Sequence, residues 1–409
     1  MQRENFILIA ILVIALLGFL FDGYDLLIYS YTLPQIMSYY NATPLQMGLV
    51  GTIMLSGTIV GAIMFGLVSD FIGKRLALIL TISFYSLATI FTIFSPNIFI
   101  FGIMRFLSSL GIGGEWGVGY SIISDYFKSR KGLSGGILQS GFSIGAVLAI
   151  FVSVYFVSTY GIYGWKYVFL SGGIPALLIV PIRLFIPKDN VKKNIKSKIK
   201  ISMETKIFLF SLILTFGEFF MAYATIIWWP TVLEKIYNIK PSLFSEILIF
   251  ATIIQVPILF FIGYLVDIIG KKKVALTFAI LTFLSLIFWL EAMKYYGIPP
   301  KNLWTWPVME GYILFQATSL FVGVFGIWFS TIFNQRIKAT LSNFSYMFGR
   351  GIGGGLASTA VVLLMEFTLT PLQFSMLYIA IIGVIISIIG IIILPEKRSW
   401  EEGNPSPGN

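Results

Sequence analysis

GLVSDFIGKR, residues 66–75, has a second copy in this chain, GYLVDIIGKK at residues 263–272. Each copy ends an apolar run, supplies an aspartate and a glycine, and passes through basic residues into another apolar run. An internal repeat with a period near half the chain is typical of membrane proteins built from two similar halves. We therefore predict that each copy is a tight loop between two membrane helices.

The residues shared by the two phrases have separate roles in such a loop. Glycine allows helices to approach and the chain to turn, and basic residues hold the loop on the cytoplasmic side. We predict that each aspartate contacts a neighbouring helix end and stabilises one of two alternating conformations. The residues assigned to this conformational gating are Gly66, Asp70, Gly73, Lys74, Arg75, Asp267, Gly270 and Lys271.

The composition excludes an ordinary water-soluble protein, because 57% of the 409 residues are hydrophobic and only 11% are charged. Twelve apolar runs of roughly 20 to 26 residues are long enough to cross a hydrocarbon core of about 30 Å as helices. The predicted spans are 7–32, 46–69, 75–95, 98–122, 133–157, 166–186, 207–230, 243–268, 274–294, 306–331, 340–365 and 372–395.

The positions of the basic residues predict that both termini are cytoplasmic. With that orientation most lysines and arginines between the spans face the cytoplasm, and five lysines face outward: Lys166, Lys235, Lys240, Lys294 and Lys301. Anionic lipid headgroups account for the net charge of +10, so we expect a lipid bilayer as partner and no nucleic acid. The predicted location is the cell membrane, crossed many times.

The predicted fold class is an all-α membrane protein with two pseudo-symmetric bundles of six helices. The bundles are expected at residues 1–187 and 207–395, with a basic cytoplasmic linker at 188–206 and a disordered tail at 396–409. The linker is interpreted as a solvated connector, although its basic run also suits a binding partner. We expect a monomer.

Several classes of chemistry have no residues to support them. The chain contains no cysteine and no histidine, which excludes disulfides, thiol catalysis and metal sites built from those residues. A nucleotide-binding loop of the G-x-x-x-x-G-K-S/T type is missing from the sequence, which argues against a pump driven by ATP. We expect no enzyme activity, no cofactor and no metal.

Charged residues inside the spans are costly unless they are paired, hydrated or functional. Counting depth at 1.5 Å per residue places Arg105 beside Asp25, or beside Asp22 if the boundaries shift. A carboxylate beside a permanently charged arginine can release or take a proton, which suits coupling. The alternative is a static salt bridge. The residues assigned to proton coupling are Asp22, Asp25, Arg105 and Glu115, and for Glu115 a bonded helix-end glutamate is the alternative.

Arg350 is the candidate for substrate recognition, because depth counting places it near the midplane, where a guanidinium can take a carboxylate in bidentate fashion. The alternative is that Arg350 pairs with Glu218 as scaffolding. Aromatic and amide side chains are further candidates, although they also suit helix packing. The predicted substrate-binding residues are Arg350, Glu218, Gln139, Tyr24, Tyr223, Trp228, Gln255, Gln316 and Tyr346.

The repeated phrases resemble the loops between helices two and three and between helices eight and nine of the major facilitator superfamily. Residues 105–127 and 130–149, which contain GGEWG, are similar to the sugar-porter-like branch, and above all to metabolite:H+ and sialate or lactate symporters. FDGYD at 21–25, IIWWPTVL at 226–233 and residues 336–354 fit the same groups. The resemblance implies proton-coupled uptake of a small organic acid, with Asp25 and Arg105 as the coupling pair.

Three functions remain open at this point. The first is a proton-coupled carrier of a small organic anion that works by alternating access. The second is a carrier of a sugar-like neutral solute, or an exporter that expels organic cations in exchange for protons. The third is a receptor or scaffold that transports nothing. The side chain that faces Arg350 separates the first two, because a cavity-facing arginine favours anions and an arginine buried against Glu218 favours the others.

Overall fold

The computed structural model describes residues 2–126, 131–183, 201–333 and 338–396, and this part of the chain is helical apart from turns and short links. Most of the predicted linker and nearly all of the predicted tail lie outside it. The helices are α1 Gln2–Tyr40, α2 Pro44–Ile72, α3 Lys74–Thr92, α4 Ile98–Tyr126, α5 Lys131–Tyr160, α6 Gly164–Arg183, α7 Ile201–Thr231, α8 Pro241–Ile253, α9 Gln255–Ile269, α10 Lys271–Tyr295, α11 Pro307–Thr318, α12 Phe325–Ile332, α13 Lys338–Phe348, α14 Gly355–Thr368 and α15 Leu372–Ile393.

Eleven segments of the described residues are long and apolar enough to cross a membrane. One of them, Gly132–Gly173, contains 42 residues and runs through α5, a 3₁₀ turn at Gly161–Tyr163 and the start of α6. A chain with this many apolar helices satisfies its backbone hydrogen bonds within each helix, as lipid requires. The all-helical membrane fold predicted from the sequence is therefore present.

Several predicted spans differ from the observed helices. The predicted span 243–268 is divided at Ile254 into α8 and α9, because Pro257 has no N–H to bond the carbonyl of Ile253 and its ring crowds that carbonyl. A 3₁₀ segment, Phe321–Val324, interrupts the predicted span 306–331. The first span was predicted too short, since α1 extends to Tyr40.

The predicted span 340–365 contains a wide π-helical segment, Gly349–Gly354, between α13 and α14. Its sequence is GRGIGG, so Arg350 carries the one long polar side chain among small neighbours. A Cβ atom on Gly349 would collide with Thr215 of α7, and one on Gly351 would collide with Ile59 of α2. Glycine therefore allows three helices to meet around Arg350.

The helices of the first half pair in a pattern that returns in the second half. α3 packs on α4 and α6, and α10 packs in the same way on α11 and α15. The halves meet through α5 with α9 at the end that carries the turns at Gly73 and Gly270, which we name the basic end. At the opposite end, which carries the link between α1 and α2, the halves meet through α1 with α7 and α2 with α14.

Candidate transport site

A cavity of about 100 Å³ lies between the two halves. Side chains of α1 and α5 line one side of it, and side chains of α7, α8, α9, α11 and α13 line the other. One water molecule needs roughly 10 to 15 Å³ measured in this way. The cavity therefore has room for several waters or for one small organic molecule.

Seven of the nine residues predicted to bind substrate line this cavity: Arg350, Glu218, Gln139, Tyr223, Gln255, Gln316 and Tyr346. The other two lie outside the lining, and their assignment to it is corrected here. The hydroxyl of Tyr24 lies 2.8 Å from Ser171 Oγ and joins α1 to α6. The indole N–H of Trp228 donates to the carbonyl oxygen of Ser358 at 3.0 Å and joins α7 to α14. Both side chains hold helices together.

Arg350 is 1% exposed and faces the cavity. Its Nε donates to the hydroxyl oxygen of Tyr223 at 3.0 Å, and its guanidinium carbon lies 5.2 Å from the centre of the Phe142 ring. Within the described residues, Nη1 has no hydrogen-bond partner and no ion pair joins Arg350 to Glu218. The alternative of an arginine neutralised by Glu218 is therefore not what the structure shows.

Two buried acids lie near this arginine. Glu218 lines the cavity and is 2% exposed, and its Oε2 receives no hydrogen bond from the part of the chain that the structure describes. Asp22 of α1 is fully buried outside the lining and attracts Arg350 electrostatically. The site thus combines a cationic donor with a carboxylate that still has room for a donor.

The three glutamines differ in how their amides are used. Gln255 Oε1 accepts from Ser143 Oγ at 2.8 Å, and Gln316 Nε2 donates to the Tyr312 hydroxyl at 3.1 Å. The Gln255 amide joins α9 to α5, as the packing alternative for it proposed, whereas the Gln316 bond lies within α11. Gln139 is joined to Tyr346 by a side-chain hydrogen bond, while its Oε1 is buried without a partner among the described residues.

Two aromatic residues that the sequence did not single out, Trp229 and Tyr312, also line the cavity. The Trp229 ring lies 4.9 Å from Trp289 and 5.7 Å from Tyr312, measured between ring centres. Trp229 is 1% exposed, and its indole N–H has no acceptor in the described ranges. A signal for Trp229 existed, because it continues the helical stripe of Glu218, Ala222 and Thr225 along α7.

Asp25 and Arg105 form a buried ion pair in the first half. Arg105 Nη2 lies 2.9 Å from Asp25 Oδ2, and it also donates to the carbonyl oxygen of Asp25 at 2.8 Å. Thr89 and Ser108 donate their hydroxyl hydrogens to the same carboxylate. The contact that depth counting predicted is present, and its role in coupling stays a prediction.

Glu115 is buried in the interior of α4. Its Oε2 accepts a hydrogen bond from Thr81 of α3 at 2.7 Å. Because α4 continues to Tyr126, Glu115 does not lie at a helix end, as one alternative required. A coupling role for it remains a prediction.

The turns of the repeated phrases have the same backbone conformation. Gly73 has φ 91° and ψ 155°, and Gly270 has φ 93° and ψ 161°. This region is open to glycine and strained for other residues. The two glycines were predicted to turn the chain, and they do.

The remaining gating residues behave differently from one another. Asp267 accepts from the backbone N–H groups of Gly132 at 3.0 Å and Leu133 at 3.3 Å, so it caps the start of α5 in the other half. Lys271 donates to Thr331 at 2.9 Å, and Arg75 is partly exposed. Gly66 was predicted to allow close packing, but a Cβ atom there would meet no described atom within 4 Å. The side chains of Asp70 and Lys74 lie outside the described residues.

Contacts between the halves lie on both sides of the cavity. Towards the basic end, Trp116 of α4 stacks on Tyr346 with ring centres 3.8 Å apart and 9° between the planes. Towards the opposite end, the Gln35 amide donates to both carboxylate oxygens of Glu234, at 3.0 and 3.2 Å. Each contact joins the two halves of the molecule.

Comparison with known proteins places these features in a family. The model of the Major Facilitator Superfamily matches residues 15–290. A probable 4-methylmuconolactone transporter of Cupriavidus pinatubonensis is 26% identical over 93% of this chain and 89% of its own length. The benzoate transport protein of Acinetobacter baylyi is 32% identical over 44% of this chain and 39% of its own length.

A solved structure shows the same fold. The proton:xylose symporter bound to 6-bromo-6-deoxy-D-glucose superposes with a TM-score of 0.80 at 16% identity, over 96% of this chain and 97% of the symporter. A cavity between two similar helical halves is the arrangement expected of a carrier. The chain belongs to the Major Facilitator Superfamily and is a multi-pass transporter of the cell membrane.

Proposed function

We propose that this chain moves a small organic anion across the membrane by proton symport with alternating access. Arg350 carries the proposal, because its buried guanidinium faces the cavity beside the Phe142 ring and its Nη1 has no partner among the described residues. A carboxylate is the ligand that matches a guanidinium in charge and geometry. The aromatic lining suits a flat carbon skeleton.

The names of the relatives support an organic acid as the cargo. One similar protein is named for 4-methylmuconolactone and another for benzoate. A third, from Acinetobacter baylyi, is named for cis,cis-muconate and is 27% identical over 42% of this chain. These molecules share a small unsaturated skeleton, which fits the ring-lined cavity around Arg350.

Proton coupling is assigned to the Asp25–Arg105 pair. A proton that reaches Asp25 weakens its attraction to Arg105 and frees both helices to rearrange. Glu115 is a second proton-accepting candidate on α4.

The topology proposed for this function has twelve spans, with α5 and α6 counted separately and both termini in the cytoplasm. The basic end then faces the cytoplasm, where Arg75 and Lys271–Lys273 belong by the distribution of charge. The proposed units are the bundles 1–187 and 207–395, the linker 188–206 and the tail 396–409. The carrier is proposed to act as a monomer, with its cargo and protons as its other partners.

Arg350→Lys tests the cargo assignment, because lysine keeps the charge and loses the bidentate geometry. We expect anion affinity to fall by about 1 to 3 kcal/mol, the scale of one hydrogen bond to a charged group. A thermal-shift screen of the purified protein across monocarboxylates, dicarboxylates, sugars and amines identifies the strongest ligand, since a bound cargo raises the melting temperature. Calorimetry with that ligand then compares the variant with the parent. Equal affinities would remove Arg350 from the site.

A second candidate function is the export of organic cations. The observation that favours it is Glu218, a cavity carboxylate with an oxygen that has no donor within the described residues. The same screen separates the two functions. Stabilisation by amines and not by carboxylates would replace the anion proposal.

A further inference from the structure

Glu218 presents a second recognition point beside Arg350. Its Oε2 is buried without a hydrogen bond in the described ranges, although the side chain lines the cavity. A buried carboxyl oxygen without a donor is costly, because it has lost water and gained nothing in exchange. A ligand that supplies a donor would remove this cost.

The neighbours of Glu218 do not supply that donor. Arg350 forms no ion pair with it in the described chain, and its Nε is already bonded to Tyr223. Tyr346 lines the cavity together with Arg350 and Glu218 and interacts electrostatically with both. The Tyr346 hydroxyl is itself joined to Gln139.

The spacing along α7 limits where a ligand's donor must lie. Tyr223, which holds Arg350, follows Glu218 by five residues, or about 8 Å of helix rise. Arg350 and Glu218 line the same cavity of about 100 Å³, so a molecule whose carboxylate meets Arg350 presents the rest of its skeleton to Glu218. The rings of Phe142 and Phe219, which also line the cavity, flank the space for its skeleton.

We propose that Glu218 is a specificity-determining residue that accepts a hydrogen bond from a hydroxyl group carried by the transported carboxylate. This inference rests on the proposed function, since it takes Arg350 as the carboxylate's partner. The preferred cargo is then a hydroxycarboxylate, and the same acid without its hydroxyl binds more weakly. A polar pocket rejects an analogue that lacks the matching group, because the pocket's own group is left unpaired.

The test measures affinities of four probes by calorimetry on the purified protein in detergent: benzoate and 2-, 3- and 4-hydroxybenzoate. Hydrogen bonds to charged groups correspond to about 10- to 150-fold in affinity. We expect at least one hydroxybenzoate to bind the parent at least tenfold more tightly than benzoate does. The isomer that binds most tightly indicates the position of Glu218 relative to Arg350.

Three variants assign that preference to Glu218. In Glu218→Met the ratio of hydroxybenzoate to benzoate affinity should fall to within about twofold of one, since no acceptor remains. Glu218→Gln keeps an acceptor oxygen and most of the volume, so it should retain a smaller preference and covers the case in which the methionine variant does not fold. Glu246→Gln makes the same charge change at an exposed position of α8 and should leave all four affinities unchanged.

The outcomes separate the two proposals. If benzoate binds and the hydroxyl adds nothing, the role of Glu218 is wrong while the anion carrier stands. If no carboxylate binds the parent, the anion carrier and this inference both fail. The zwitterion 3-(aminomethyl)benzoate is a further probe. If it binds more tightly than every hydroxybenzoate, the partner of Glu218 is an ammonium group and not a hydroxyl.

Discussion

At the scale of single residues, Asp25 and Arg105 show how a buried charge is kept. The Asp25 carboxylate receives hydrogen bonds from Arg105, Thr89 and Ser108 at once. The guanidinium of Arg105 also lies 5.1 Å from the centre of the Phe169 ring, which favours a cation. These contacts join α1 to α4. Neutralising Asp25 with a proton would weaken its attraction to Arg105 and so loosen the contact between the two helices.

Asp25→Asn tests whether this pair couples transport to protons. We expect the variant to lose uptake driven by a pH gradient and to retain exchange of labelled for unlabelled cargo, because exchange moves no net proton. Counterflow in proteoliposomes measures exchange, and pH-jump uptake measures coupling. Asp22→Asn separates the two aspartates of α1, because coupled uptake that is lost here and kept in Asp25→Asn would move the coupling role to Asp22.

Stability must be measured beside transport. Removing one partner of a buried pair costs about 3 to 5 kcal/mol, because the other charge is left without compensation. The double variant Asp25→Asn with Arg105→Gln should recover much of the lost melting temperature and still lack coupling. Coupled uptake by Asp25→Asn at the parent's rate would show a static salt bridge.

At the scale of helices and turns, Gly73 and Gly270 set the geometry of the repeated loops. Both have positive φ close to 90° and ψ near 160°. A side chain in this region costs on the order of 1 to 3 kcal/mol. The Cβ atom of an alanine at 270 would also collide with the carboxyl group of Glu396.

Gly270→Ala should therefore lower the free energy of unfolding by about 1 to 3 kcal/mol, whereas Gly66→Ala should have little effect or raise it. Gly66 belongs to the same repeated phrase but lies in α2 with open space at its Cβ position. The melting temperatures of the two variants in one detergent give the comparison. Equal losses of melting temperature in the two variants would contradict the claim that the turn requires glycine at position 270.

The sequence predicted the parts of this architecture that depend on counting along the chain. The Asp25–Arg105 contact followed from a fixed helix rise in α1 and α4, and the turn glycines followed from the repeated phrase. The inner position of Trp229 was missed, although the helical stripe that it shares with Glu218 along α7 carried the signal. The π-helical segment around Arg350 also escaped prediction, since glycine tolerates α-helical and π-helical backbone alike.

At the scale of the whole molecule, two contacts join the halves on opposite sides of the cavity. Trp116 stacks on Tyr346 towards the basic end, and Gln35 bonds Glu234 towards the opposite end. Alternating access requires that one of them opens while the other holds. Weakening one contact should then favour the conformation that is open on that side, and leave the opposite side unchanged.

A cysteine in the cavity tests this separation, because the natural chain has none. We expect Ser143→Cys to be labelled slowly by a membrane-impermeant thiol reagent added outside intact cells. Adding Gln35→Ala should raise the labelling rate roughly tenfold, as loss of a hydrogen bond to a charged group favours outward opening. Adding Trp116→Ala should not raise it from outside, and should raise labelling of inside-out vesicles. Equal labelling of all three proteins from both sides would contradict the two-gate arrangement.

The π-helical segment Gly349–Gly354 has a consequence for the register of α13 and α14. A π-bulge accommodates one residue more than the α-helix around it, and each residue of an α-helix turns the chain by about 100°. Deleting one glycine from this segment would restore a continuous α-helix and rotate α13 against α14 by about that angle. Arg350 and Tyr346 would then swing away from the cavity together, so the charge at the centre of this carrier depends on a single surplus residue in the helix that presents it.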